Sequence, residues 1–384
     1  MAESKSGIEY FTKEHDMVRR AVKDFMKKEV APFIEEWEEE GTFPIELYKK
    51  AGDVGILGIG FPEEFGGTPG DIFLEIARAE EMVKASGSGG LCSSLSMMSL
   101  ALPPVLRSGS VEQKEKWIRP CIDGDMIAAM AITEPSGGSD VANLQTTAVK
   151  EGDHYVINGN KTFITAGSRA DIVLTAVRTG GPGAKGISLF MIEKGTPGFS
   201  TSTPLKKMGW WASDTAELYF DNCKVPAENL IGEENMGFYE IMTNFQSERI
   251  SMAVMAATTA QMAYEEALKY SKEREAFGKK LSGFQVTRHK LVDMATLIEV
   301  SREFNYRLAA KLKAGIDVGK ETSMAKNFAC TVSDKVTHEA VQIFGGYGFM
   351  RGYLVERLYR DNRILSIGGG TSEIMKEIIS AYIF

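Results

Sequence analysis

The sequence predicts an α+β protein in three parts: a helical domain over residues 1–124, a strand-rich domain over 125–235 and a four-helix bundle over 236–384. Three observations carry this. A chain of 384 residues exceeds what one hydrophobic core serves. Helical periodicity dominates both ends. Between them, short apolar runs alternate with Gly-rich connectors and contain no helical pattern, which argues against parallel βαβ units.

In the first part, "DMVRRAVKDFMKKEV" repeats Val18, Val22, Phe25 and Met26 at three- and four-residue spacing until Pro32 interrupts it. "DIFLEIARAEEMVKA" is a second amphipathic helix, and "FGGTPG" at 65–70 is a loop. The middle part opens with "MIAAMAITEP". "TTAVKEGDHYVINGNKTFIT" then reads as a hairpin about a Glu-Gly-Asp turn, and "DIVLTAVRT", "ISLFMIEK" and "AELYFDNCKVP" follow as strands. In the last part, residues 250–264, "ISMAVMAATTAQMAY", carry no charge, the mark of a helix buried on all sides. Further long helical stretches joined by short loops complete a bundle.

Composition excludes several functions. The net charge is −8 and the pI about 5.4, which disfavours a nucleic-acid binder. Cys92, Cys121, Cys223 and Cys330 show no CxxC spacing, and the four histidines are dispersed. Neither a zinc site nor a disulfide framework is expected, and reduced thiols point to the cytoplasm. The polar start lacks a signal core, and no apolar run approaches the ~20 residues of a membrane span.

Five segments are candidates for chemistry. "GGGTSE" at 368–373 presents bare backbone before a helix, which suits an anion, but an N-cap at Thr371 or Ser372 explains it equally. "AITEPSGGSD" at 131–140 and "TFITAG" at 162–167 offer hydroxyls and N–H groups to the edge of a flat polar heterocycle, or are ordinary turns. In "REAFGKKLSGFQ", Gly278 reads as a helix C-cap, and Ser282 with Gln285 as a capping box. In "FQSERI", Glu248 stands at the mouth of the charge-free helix. Desolvation there raises a carboxyl above its ordinary pKa of about 4.3 and poises it as a base, whereas an exposed first-turn Glu is the plain alternative.

Together, "AITEPSGGSD", "YVINGNKTFITAG", "SERI", "REAFGKKLSGFQ", "AVQIFGGYGF" and "GGTSEIMKEII" resemble, in order and spacing and over essentially the whole chain, the acyl-CoA dehydrogenase family. The resemblance implies a helical domain, a β-barrel-like domain and a helical bundle. It also implies a homotetramer built as a dimer of dimers, with one FAD per subunit. By resemblance, Met130, Ile132, Thr133, Ser139, Phe163 and Thr165 line the flavin, with Thr165 near its N5. Arg274, Phe277 and Gln285 reach the FAD of a neighbouring subunit. Gln342 to Gly346 serve the adenosine–pyrophosphate end, and Thr371 and Glu373 follow the catalytic loop. Ser139, Gln246 and Arg249 match acyl-CoA contacts, and Gly368 and Gly369 match the loop beside the reacting carbons.

One departure is informative. Many members carry their base in a Tyr-Glu-Gly-Thr segment, but here the matching residues are Gly368-Gly369-Gly370-Thr371. Isovaleryl-CoA and long-chain acyl-CoA dehydrogenases also lack that Glu and place the base on the bundle helix, at the position of Glu248. The expected reaction is α,β-dehydrogenation of a long-chain or branched acyl-CoA to trans-2-enoyl-CoA, as in fatty-acid β-oxidation. Glu248 takes the α-proton, flavin N5 takes the β-hydride, and an electron-transfer flavoprotein is the acceptor. The alternatives are an enoyl-CoA reductase running the reverse reaction and an inactive flavin-binding relative.

Overall fold

A computed structural model describes residues 10–384. The polar first nine residues, on which the expectation of no leader partly rests, lie outside the described residues.

The helices of the first part are α1 (Lys13–Glu29), α2 (Ile34–Glu40), α3 (Glu46–Asp53), α4 (Ile72–Ser86), α5 (Gly89–Leu95), α6 (Met98–Ala101), α7 (Pro103–Ser108) and α8 (Val111–Ile122). The strands are β1 (Ala128–Ala131), β2 (Thr147–Glu151), β3 (His154–Thr165), β4 (Ile172–Arg178), β5 (Ile187–Glu193), β6 (Phe199–Thr201), β7 (Thr215–Pro226) and β8 (Leu230–Ile231). There follow α9 (Gly237–Glu273), the small hairpin β9 (Glu275–Ala276) and β10 (Lys279–Lys280), α10 (Gln285–Lys313), α11 (Gly319–Phe344), α12 (Leu354–Asn362) and α13 (Ser372–Ile383).

The chain divides into two compact units. One takes in the chain up to Glu35, Pro69–Gly89 and Arg249–Phe384; the other comprises Glu36–Thr68 and Gly90–Glu248.

The second unit is built on a mixed sheet in the order β6-β7-β3-β2-β4-β5-β8, with β1 parallel to β4. β2 and β3 form the expected hairpin about Gly152, which takes the left-handed backbone the turn needs (φ 66°). β4 and β5, "IVLTAVR" and "ISLFMIE", are buried along almost their whole length, as largely apolar runs require. Tyr155, Ile157, Val173, Phe190, Phe220 and Val225 pack one core, with the Tyr155 and Phe190 rings 4.7 Å apart. From β1 to β8 no α-helix joins consecutive strands; three of the connectors contain a single 3₁₀ turn.

In the first unit, Asp71 caps α4 by accepting from Phe73 N–H at 2.9 Å. Phe73 and Ile76 of α4 meet Ile250 and Val254 of α9 and Leu308 and Ala309 of α10. α9 is one unbroken 37-residue helix, since nothing between Gly237 and Glu273 breaks it. Within it, no residue from 250 to 264 is exposed, as the absence of charge predicts.

Two local expectations are corrected. Gly278 is no helix C-cap: α9 ends at Glu273, and Phe277 (φ 52°) and Gly278 (φ 76°) form the turn of the β9–β10 hairpin. A left-handed glycine serves a helix end and a tight hairpin alike. Ser282 and Gln285 form no capping box. Ser282 lies in a 3₁₀ turn, Leu281–Gly283, so the helix starts at Gln285 itself with Phe284 as its extended N-cap residue.

Candidate active site

In the sheet unit, the two hydroxyl-bearing segments meet. Met130 is on β1 and buried; Ile132 and Thr133 leave the end of β1 half-buried, and Ser139 is exposed on the loop beyond. Thr162 N–H donates to the Thr133 carbonyl at 2.9 Å, which sets this loop beside Phe163 and Thr165 on β3. The ladder from β3 to β7 shifts register between Lys161 and Ile164. In that bulge Phe163 takes φ 60° and is 69% exposed. A bulky residue held left-handed and presented outward is strained and unusual away from a functional site.

A buried ion pair fixes the same segment. Lys161 Nζ lies 2.8 Å from Glu134 Oε1 and donates to the Ile132 carbonyl at 3.0 Å. Glu134 also accepts from Gln145 and Thr146 N–H. Burial pulls the Lys161 ammonium down to a pKa of about 8, against the attraction of Glu134. Burial works against the Glu134 carboxylate too, but the Lys161 charge and these hydrogen bonds outweigh it and hold its pKa below the ordinary range. Sequence reasoning missed this pair. The half-buried hydroxyls, the broken ladder and the outward aromatic fit the edge and face of a flavin.

On α9, Gln246 and Glu248 are half-buried, and Glu248 Oε2 is sealed from solvent. The desolvation expected of Glu248 is therefore present at one of its oxygens.

In the helical unit, the glycine run follows a 3₁₀ turn, Arg363–Ser366, and precedes α13. Thr371 caps α13, its Oγ1 accepting from Ile374 N–H at 3.2 Å. Hydrogen bonding to its own backbone and to Thr371 keeps the exposed Glu373 carboxyl below its ordinary pKa. Gly369 (φ 60°) and Gly370 (φ 101°) are left-handed. Their carbonyls face cations: Arg249 Nε donates to Gly369 O at 3.4 Å, and Lys326 Nζ to Gly368 O at 2.7 Å and to Gly370 O. Lys326 is 1% exposed and Arg249 8%. Arg249 was expected near substrate; Lys326 was missed. Its signal in the sequence was a lysine within the buried face of α11, alongside Thr322, Ala329, Cys330 and Ser333.

The remaining predicted residues are on exposed surface. Phe277 is 96% exposed, Gln285 is exposed at the first position of α10, and Gln342 and Gly346 are exposed at the end of α11 and just beyond it. Arg274 joins the last of these regions, its guanidinium 5.8 Å from the centre of the Tyr347 ring.

Comparison with known proteins shows the family. The chain matches the acyl-CoA dehydrogenase N-terminal domain over residues 12–125, the middle domain over 129–223 and the C-terminal domain over 235–384. An acyl-CoA dehydrogenase of Bacillus subtilis is 42% identical over 375 residues, covering 97% of this chain and 99% of the relative. A 3-(aryl)acrylate reductase of Clostridium sporogenes is 38% identical over 373 residues, covering 97% of this chain and 99% of the relative. The crystal structure of a probable acyl-CoA dehydrogenase from Mycobacterium abscessus superposes with a TM-score of 0.96 at 49% identity, covering 98% of this chain and 100% of that one. The chain belongs to the acyl-CoA dehydrogenase family and is an FAD-dependent oxidoreductase.

Proposed function

We propose that the protein removes the α- and β-hydrogens of a saturated long-chain or branched acyl-CoA to give the trans-2-enoyl-CoA, with Glu248 as the base. The observation that carries this reading is the glycine run. Gly369 supplies no carboxyl, and Glu373, the nearest acid after it, is exposed and bound into the start of α13. Glu248, by contrast, has an oxygen sealed from solvent at the entrance to an uncharged helical segment.

The chain's residues divide the work. Glu248 accepts the α-proton. The Gly369 N–H donates to the thioester carbonyl as enolate charge develops there. Gln246, Arg249 and Ser139 hold the acyl-CoA. Met130, Ile132, Thr133, Phe163 and Thr165 orient the flavin ring, and Gln342, Gly346, Thr371 and Glu373 hold the rest of the cofactor. FAD, when bound, supplies the acceptor for the β-hydrogen as hydride. Arg274, Phe277 and Gln285, exposed as they are, suit a role toward a neighbouring subunit's cofactor in a homotetramer, and an electron-transfer flavoprotein suits the reoxidation step.

Gly368 supports the substrate class. Its backbone is not left-handed, and an added Cβ would find only ordinary contacts, the nearest 3.5 Å away at Ile364 O. The backbone therefore does not demand glycine there, and the missing side chain is better explained by room for substrate.

Anaerobic bleaching of the bound flavin by a panel of straight and branched acyl-CoAs tests this. Rapid bleaching by long or branched members supports it; bleaching by short straight chains alone overturns the substrate class. The similarity to the arylacrylate reductase favours one second reading, the reverse reaction on an enoyl-CoA. Reduced enzyme reoxidised by enoyl-CoA faster than oxidised enzyme is bleached by acyl-CoA would favour that direction.

A further inference from the structure

Lys326 lies in the first half of α11, a helix whose one part above is that of Gln342, near its far end, toward the cofactor. Its ammonium is buried, and burying an ammonium is costly unless strong acceptors meet it. Among the acceptors it meets are two carbonyls, Gly368 O at 2.7 Å and Gly370 O, one on each side of Gly369.

The Gly368 carbonyl and the Gly369 N–H belong to one peptide unit. That unit is planar and trans, so its C=O and N–H point in opposite directions. Fixing the carbonyl on Lys326 therefore aims the Gly369 N–H away from α11. No backbone acceptor engages that N–H among the described residues. A cation on the carbonyl also polarises the amide and strengthens its N–H as a donor. Glycine backbone is the least able to hold such an orientation by itself, and Gly369 and Gly370 are both left-handed. The rest of the α11 face has a different task. Asn327 Nδ2 donates to Ser372 O, Cys330 Sγ to Leu365 O and Ser333 Oγ to Asn362 Oδ1, which docks the flanking segments without touching the glycine run.

From this we infer that Lys326 is a positioning residue for the reaction: through the Gly368–Gly369 peptide it orients and polarises the N–H that receives the enolate charge of the substrate. The inference rests on the proposed role of the Gly369 N–H. It assigns to a buried lysine a contribution to substrate acidity, made without contact with substrate or cofactor.

The test uses the FAD-loaded protein and a 3-thiaacyl-CoA. With sulfur in place of the β-carbon, this analogue can lose its α-proton but no β-hydride. Its α-anion is read by long-wavelength absorbance beside the bound flavin, titrated against pH. In Lys326→Met the midpoint of ligand ionisation should rise by at least about one pH unit, a ~10-fold loss of anion stabilisation. This is smaller than the ~10²–10³-fold cost of removing such a donor outright. Lys326→Gln, which keeps a neutral donor, should shift it in the same direction by less, and it decides the matter if the Met variant does not accumulate. Asn327→Ala, which loosens the same helix face away from the glycines, should leave the midpoint unchanged. An unchanged midpoint in the Lys326 variants, or an equal shift in Asn327→Ala, overturns the inference while leaving the reaction assignment intact. Absence of any α-anion in the unaltered protein would instead sink the reaction assignment, and this inference with it.

Discussion

Lys161 Nζ stands 2.8 Å from Glu134 Oε1, with the two side chains 0% and 3% exposed. The pair links the segment of β3 that carries Phe163 and Thr165 to the loop leaving β1. Glu134→Leu would strand a buried ammonium, a loss of about 3–5 kcal/mol for a broken buried pair. The expected result is a lower unfolding midpoint and faster loss of FAD on dilution. An unchanged midpoint and unchanged FAD retention would show that the pair does not hold the segment.

The same pair sets an acid limit. The Glu134 pKa is lower in the folded chain than its ordinary value of 4.5, so the folded state binds fewer protons than the unfolded. The stabilisation is complete above about pH 4.5 and is lost as pH falls through the depressed folded value. Stability profiles of the native protein and Glu134→Gln should therefore differ most above pH 4.5 and converge as the pH is lowered further. Parallel profiles down to the lowest accessible pH would contradict this.

The glycine run makes a graded prediction. Gly368→Ala should fold normally, since its Cβ meets nothing closer than 3.5 Å. Gly370→Ala should destabilise by about 1–3 kcal/mol, because φ is 101° and the new Cβ would lie 2.6 Å from Met375 Cε. Gly368→Tyr should reduce flavin bleaching by branched acyl-CoAs more than by straight ones. Equal loss for both classes would remove Gly368 from the determinants of substrate shape.

Gln285 is exposed and caps nothing. Gln285→Ala should therefore stay within about 0.5 kcal/mol of the parent in stability, as for other surface substitutions. If it reaches a neighbouring subunit's cofactor, the variant should release FAD more readily. Light scattering on the parent checks the assembly: a monomer with full FAD occupancy would refute the cross-subunit role of Gln285, Arg274 and Phe277.

Much of this molecule is legible in residue spacing. The period of Val18, Val22, Phe25 and Met26 gives α1, and the uncharged stretch 250–264 gives a helical segment with no exposed residue. The turn at Gly152 gives the hairpin. The failures are equally physical. Gly278 was misread because one left-handed glycine suits two motifs, and only the pairing of Lys279 with Ala276 distinguishes them. The Ser282–Gln285 pattern is that of a capping box, but the 3₁₀ turn before α10 takes Ser282 for itself. Lys326 escaped because a helical lysine reads as solvated, while its partners lie 42 and 44 residues downstream. Packing, not local pattern, decides such a residue.

The central claim is that Glu248 takes the α-proton. Glu248→Gln keeps the shape of the side chain and removes its ability to accept a proton. Stopped-flow reduction of the FAD-loaded variant by a long-chain acyl-CoA measures the consequence directly. The predicted result is a fall in the rate of flavin reduction of at least ~10²-fold, with FAD and acyl-CoA still bound. Reduction at a near-native rate would contradict the assignment and place the base elsewhere.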